Sequence, residues 1–302
     1  MSIPTPHLEK LKAALINEKL PAAEIPRIQQ AIVRYNQWIA DIVAIANDSA
    51  TLVEDLIKLF NDYKFYIDYN LIFLSPDDFL YRQKGQLKLD NTIIEEFLPN
   101  LVSKRFPNLG DTVVFGPRKC FSAMYFKSTL NDNKHGGGVE IRTKDQDFAI
   151  AKKLFIRTSH KDDFNQYESK DAFLGYVTTE CKTNLDKTMF QEANATANDV
   201  KKAIPGSKYF LMCEWLDMTP VSTAPTDIDE ALILRKAKRI SSNIRKNYST
   251  AAGRTANAQS FKDYLENNPY DVSVFSRFLN HIEAMINDED PEEGSVLTDG
   301  FF

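Results

Sequence analysis

One segment limits the folds open to this chain more than any other, residues 147 to 215. It begins with an apolar-rich run, Phe148-Ala149-Ile150-Ala151 through Leu154-Phe155-Ile156, crosses a polar stretch from Thr158 to Lys170, and enters a second extended run over 172 to 182. Thr183-Asn184-Leu185-Asp186 then caps a helix whose apolar residues Phe190, Ala193, Ala197, Val200 and Ile204 recur at spacings of 3, 4, 3 and 4, and Pro205-Gly206 stops it. Tyr209 to Trp215 follows as a buried strand. In the order strand, strand, helix, strand, the helix must bury its apolar stripe on the sheet that its neighbours form, which predicts a mixed α/β (α+β) core of sheet flanked by helices.

The flanks read differently. Leu8, Leu11 and Leu15 predict a helix over residues 4 to 17, and Ile28, Ile32, Tyr35, Ile39 and Ile42 predict a second one from near Pro26. Leu52, Val53, Leu56, Ile57 and Phe60 predict a third after Asn47-Asp48-Ser49. The run Tyr63 to Leu74 fits a buried helix or strand, and Ser75-Pro76-Asp77-Asp78 starts another helix. Short strands are expected at Thr112 to Phe115, 119 to 127 and Val139 to Arg142, with Lys144-Asp145-Gln146 as a turn before a strand from Asp147 to Arg157. Gly136-Gly137-Gly138 lacks the strand-turn-helix setting of a phosphate loop and reads as a flexible turn. The expected organisation is a mostly helical region over 1–105, a sheet core over 106–225, and a helical region over 226–302 that carries a basic patch and ends in the acidic stretch Asp288 to Glu293.

Composition excludes several classes. With 43% hydrophobic residues the chain has material for a sizeable core, so a disordered protein is not expected. Three cysteines with no CxxC pairing argue against a zinc ribbon and for a reducing cytoplasm. No apolar run approaches a membrane span and the N-terminus lacks a signal-peptide layout, so a cytoplasmic protein without membrane contact is expected. At a net charge of −5, binding to a polyanion requires a local basic patch.

The chemistry centres on Glu180-Cys181-Lys182. On a strand, Glu180 and Lys182 project from one face, so a carboxylate and an ammonium share one strand end. Metal-dependent phosphodiester hydrolysis needs that pair: a hard oxygen ligand, and a cation to steady water and the charge developing on phosphorus. Glu/Asp-x-Lys is a common pattern, and it also occurs at Asp62/Lys64, Asp132/Lys134, Glu168/Lys170 and Asp199/Lys201. Position separates the central pair from the others, since it ends a buried strand just before a helix. Its partner carboxylate should open the preceding strand, where Asp147 stands, if residues 147–157 and 172–182 pair as a hairpin with aligned ends. Asp171 is the rival. On a continuous strand it would lie about 30 Å from Glu180, so it serves only if Gly175 is a hairpin corner.

Asp147-Phe148-Ala149-Ile150, then Glu180-Cys181-Lys182, then a helix from near Asp186 with Gln191 and Glu192, resembles the PD-(D/E)xK nuclease signature. The string from Glu180 to Ala193, with Gly136 to Asp147, is similar to type II restriction endonucleases of the BbvCI-like group, a resemblance that covers residues 136 to 215. It departs from the family pattern at Gln146, which stands where a proline would precede the acidic residue. The resemblance implies a restriction-endonuclease-like fold, two carboxylate ligands for Mg²⁺ (Asp147 and Glu180), and in-line attack of water on double-stranded DNA with no covalent intermediate. It implies that Lys182 orients the water and that Gln191 either supports the site or is plain helix surface. Glu140 is a further carboxylate that reads as a strand-edge residue.

Between Ala231 and Lys262 there is no acidic residue, and Arg235, Lys236, Lys238, Arg239, Arg245, Lys246 and Arg254 are basic. These read either as a DNA-backbone surface, with Asn243, Asn247 and Tyr248 interleaved, or as a solvated helix face. Arg118 and Lys119 are lesser candidates, His160 is assigned to loop polarity, and none of the four histidines shows metal-site spacing. One catalytic set cuts one strand, so a homodimer or a heterodimer with a related subunit is expected. The alternatives are a repair or nicking nuclease on the same fold, and a non-catalytic DNA-binding protein.

Overall fold

A computed structural model describes residues 3–132, 134–287, 297, 298 and 300, so the acidic stretch Asp288 to Glu293 lies outside the described residues. Helices α1 (Pro6–Leu15), α2 (Ile25–Ala44) and α3 (Leu52–Phe65) form where the apolar spacing places them. On α2 the buried stripe is Ile28, Ala31, Tyr35, Trp38 and Ile42, again at spacings of 3, 4, 3 and 4, with Ile32 and Ile39 on its flank. The ambiguous aromatic run is helical: α3 continues into a π-helical segment, Tyr66–Phe73. Then come α4 (Phe79–Leu87) and α5 (Thr92–Arg105). Every residue of α5 from Thr92 to Val102 is buried, so α5 runs through the interior with no solvent face.

Five strands follow in sheet order: β1 (Val113–Phe126), β2 (Val139–Ser159), β3 (Tyr167–Leu185), β4 (Lys208–Leu216) and β5 (Glu230–Ile233). β1, β2 and β3 are antiparallel neighbours. β3, β4 and β5 are parallel, with α6 (Lys187–Ala203) crossing between β3 and β4. Short helices α7 (Ser242–Arg245) and α8 (Ala251–Ala256) lead to α9 (Ala258–Asn267) and α10 (Val272–Ile286). One continuous core joins α1, α2, α3, α5 and α10 to Phe148, Ile150, Val177, Phe210 and Met212 of the sheet. The alternate residues of β4, Tyr209, Leu211 and Cys213, pack with Phe190, Ala193 and Ala197 of α6 on the opposite face. β4 is therefore covered on both faces, as its unbroken apolar run requires.

Several sequence expectations are corrected. The two short strands around Pro117 are one strand, β1, and Lys144-Asp145-Gln146 is strand rather than turn because each of the three residues pairs with β1. β5 was not foreseen. Glu168 and Lys170, assigned to a loop, sit on β3 opposite Thr158 and Ile156. The glycine triplet forms a tight turn with φ near 60–70° throughout. A Cβ on Gly136 would lie 2.5 Å from the Thr158 carbonyl oxygen, so the turn is packed against the β2–β3 hairpin rather than free.

Candidate active site

β3 runs without a corner from Tyr167 to Leu185. Gly175 marks a bulge instead. Ile150 pairs with Val177 but Ala151 with Gly175, which leaves Tyr176 as the extra residue. A side chain at 175 would meet Cys120 Sγ at 2.8 Å, where β1 closes on β3. Asp171 therefore stays far along the strand, exposed, paired opposite Phe155 and bridged to Lys153 at 2.9 Å.

Asp147 does come to Glu180. Phe148 faces Thr179, which shifts the expected alignment by two residues and sets Asp147 beside Glu180 and Cys181. On its other side the register slips by one between Gly116↔Ala149 and Arg118↔Gln146, a bulge opposite Pro117. Pro117 has no N–H to give the ladder, and a bulge re-aims the side chain it carries. Gln146, which precedes Asp147, is buried. Asp147 Oδ2 accepts the Cys181 N–H at 2.8 Å.

Glu180 and Lys182 share the α6-facing side of β3, 2.7 Å apart between Oε1 and Nζ. Glu180 Oε2 accepts a hydrogen bond from the Tyr209 hydroxyl at 3.0 Å. Burial pushes the Asp147 carboxyl up, and nearby Glu180 adds to this against the Cys181 N–H and Lys182. For Lys182 burial favours the neutral form, but Glu180, Asp147 and Glu192 outweigh it and hold the ammonium charged. Lys182 therefore places a positive charge beside the two carboxylates.

A third carboxylate, Glu95 of α5, is near enough to Asp147 to feel its charge. Burial, and then Asp147, raise its pKa to about 7. Asn91 Nδ2 donates to Glu95 Oε1 at 3.1 Å and to the Cys181 carbonyl at 3.2 Å, so α5 grips both the carboxylate and the motif strand. Sequence reading passed over Glu95, although one signal was available: Ile93-Ile94-Glu95-Glu96-Phe97-Leu98 sets two carboxylates in an otherwise apolar stretch, where an ion is costly. Glu96 has a structural use, accepting from the His7 and Leu8 N–H groups and the Tyr35 hydroxyl. Of the other candidates, Gln191 is exposed on α6, Glu140 pairs with Lys127 at 3.2 Å, and His160 is exposed.

Among the described residues, no three His, Cys, Asp or Glu side chains close on a metal position. Mg²⁺ does not need such a cage, because it binds through one or two carboxylates and keeps water and substrate phosphate as its other ligands. Asp147 and Glu180 supply hard oxygens, and Asn91 Oδ1 is buried without a hydrogen-bond partner. The donor set fits a hard divalent cation.

A cleft of about 580 Å³ is lined by Thr183 of β3, by Trp215 and Tyr264, by the cations Arg82, Lys84, Arg239, Arg245 and Lys246, and by Asp68, Asp90 and Glu214; Asp147, Glu180 and Lys182 do not line it. Three of the basic residues singled out in the sequence meet here. Arg245 and Lys246 have no carboxylate partner among the described residues, while Arg239 pairs with Asp217 at 2.9 Å. Arg235 does not belong with them. It is 5% exposed and bound to Glu214 and Asp68 and to the Asn268 carbonyl, so its guanidinium faces the interior and not the DNA surface expected from sequence. Arg254 is likewise interior, donating to the carbonyls of Phe73, Ser75, Asp77 and Tyr248. Lys236 lies apart, paired with Asp271, and Lys238 is exposed. Arg118 stacks over Phe173, Lys119 is exposed, and Tyr248 is buried.

A family model described as Bpu10I restriction endonuclease matches residues 86–302. A solved structure titled native BbvCI A2B2 tetramer at low resolution shares the fold, with a TM-score of 0.55 and 20% identity over 88% of this chain and 95% of that one. No curated protein sequence matches.

Proposed function

The chain belongs to the Bpu10I restriction endonuclease family, and from that premise we propose that it is a type II enzyme that uses Mg²⁺ to hydrolyse DNA phosphodiesters at a short specific sequence. The observation that carries this reading is the meeting of Asp147, Glu180 and Lys182 where β2 pairs with β3, Asp147 bound to the Cys181 N–H and Lys182 to Glu180. Asp147 and Glu180 would hold the cation. When bound, that cation supplies charge to neutralise the phosphate and lowers the pKa of neighbouring water. Lys182, kept charged, holds water in line with the phosphorus and offsets the negative charge of the transition state. Arg245 and Lys246, with Arg82, Lys84 and Arg239, lie along the phosphates of the bound duplex.

A plasmid assay with Mg²⁺ tests the reading: discrete limit fragments support it, relaxed circles indicate a nicking enzyme, and shifted but intact DNA indicates a binding protein. Asp147→Ala is expected to abolish cutting while Asp171→Ala cuts as the parent does; the reverse pattern would move the metal site. Arg245→Ala and Lys246→Ala are each expected to weaken binding to all sequences alike and to reduce the slope of log affinity against log salt by about 1. An unchanged slope in both would take the DNA out of this cleft.

One such site cuts one strand, so a double-strand break calls for a second. The structural neighbour is titled as an A2B2 tetramer. On that basis we propose that this chain works in an assembly with a related subunit. Among the described residues, no helix is long and apolar enough to cross a membrane.

A further inference from the structure

Tyr209 stands in the middle of the sheet and is 0% exposed, between Lys208 and the apolar run Phe210-Leu211-Met212. Phenylalanine would serve that position for packing alone. What distinguishes tyrosine is its hydroxyl, and the one hydrogen bond it makes goes to Glu180 Oε2 at 3.0 Å. Register explains the meeting. Glu180 lies opposite Leu211, and Tyr209 is two residues earlier on the same face, the diagonal position that a long aromatic side chain reaches.

The ring has a fixed base. The Tyr209 N–H donates to Asp229 Oδ2 at 2.8 Å, its carbonyl accepts the Asp229 N–H at 2.9 Å, and Lys201 and Lys208 hold that aspartate at 2.9 and 3.3 Å. The two oxygens of Glu180 are therefore unequal. Oε2 is tied to a buried, clamped phenol, whereas Oε1 meets only the half-buried tip of Lys182 at 2.7 Å.

We propose that Tyr209 is a positioning residue for hydrolysis: by holding Oε2 it orients Glu180 so that Oε1 is the oxygen offered to the divalent cation. This rests on the reading of Glu180 as a metal ligand. Residues that orient a ligating carboxylate in this way typically change metal affinity by about 10–100-fold when removed.

The test measures Mn²⁺ binding by electron paramagnetic resonance on the intact chain, without DNA, for the parent, Tyr209→Phe, Glu180→Ala and the double variant. Tyr209→Phe is expected to weaken Mn²⁺ binding by about 10–100-fold, and to raise the Mg²⁺ needed for half-maximal cleavage by a similar factor while cleavage recovers at saturating Mg²⁺. In the Glu180→Ala background the same change should have no further effect. Unchanged Mn²⁺ affinity in folded Tyr209→Phe overturns the proposal, as does an equal loss in the Glu180→Ala background. If Glu180→Ala itself binds Mn²⁺ like the parent, the metal-site reading fails instead. Should Tyr209→Phe not fold, the ring Cζ resonance of Tyr209 in the parent decides: it should move on adding Mg²⁺ and stay still in Glu180→Ala, and no movement in the parent overturns the proposal.

Discussion

Lys182→Ala is expected to lower the rate of DNA cleavage by about 10²–10⁴-fold while leaving DNA binding and folding close to those of the parent. The side chain is 32% exposed and its ion pair with Glu180 is near the surface, where such pairs contribute about 0–1 kcal/mol to stability. The loss is therefore one of transition-state charge. The ammonium also occupies Glu180 Oε1 at 2.7 Å, the oxygen that the cation needs. Removing it should leave Mn²⁺ affinity unchanged or tighter, whereas Glu180→Ala should lose both Mn²⁺ binding and cleavage. This opposite response of binding and rate separates the two roles within one tripeptide. A Lys182→Ala protein that cuts at the parental rate would move the catalytic centre elsewhere.

The strand-end placement of Glu180 and Lys182 was readable because local signals converge on it: an extended run, a capping Asp186 that accepts the Met189 N–H at 2.9 Å, and a helix with clean apolar periodicity. Hairpin pairing does bring Asp147 to Glu180, but Asp147 lies inside β2 rather than opening it, because β2 begins at Val139, and the register is two residues from the aligned-ends expectation, with a one-residue bulge at Tyr176. Lys144-Asp145-Gln146 is polar yet pairs with β1, and polarity alone does not separate a turn from a polar strand. Glu95 and Tyr209 reach the site from segments far from the motif in sequence, and no periodicity reports such a meeting. The fold class was legible and agrees with the structural neighbour, since alternating strand and helix patterns leave few layer arrangements.

Arg235 shows the limit from the other side, and its replacement should have the largest effect on stability. It was grouped with surface cations because no acidic residue is close in sequence, but its partners Asp68 and Glu214 come from the π-helical segment and from β4. Lys64 joins the same cluster, 2.6 Å from Asp68 and 3.1 Å from Glu214. Burial acts to raise the Glu214 carboxyl, yet Lys64 and Arg235 outweigh it and hold the group at about 2, so it remains an anion inside the protein. Arg235 also lies 4.0 Å from the centre of the Tyr270 ring. Truncating one partner of such a cluster leaves buried charge uncompensated, and Arg235→Ala is expected to cost about 3–5 kcal/mol. The measurement is the urea midpoint together with DNA affinity at low urea. Arg235→Ala should unfold early yet bind DNA like the parent wherever it remains folded, because its guanidinium never reaches the cleft. Arg245→Ala should behave in the opposite way, with a parental midpoint and weakened binding. If Arg235→Ala kept its midpoint and lost DNA affinity, the guanidinium would belong to the DNA surface after all, and the interior cluster would be the error.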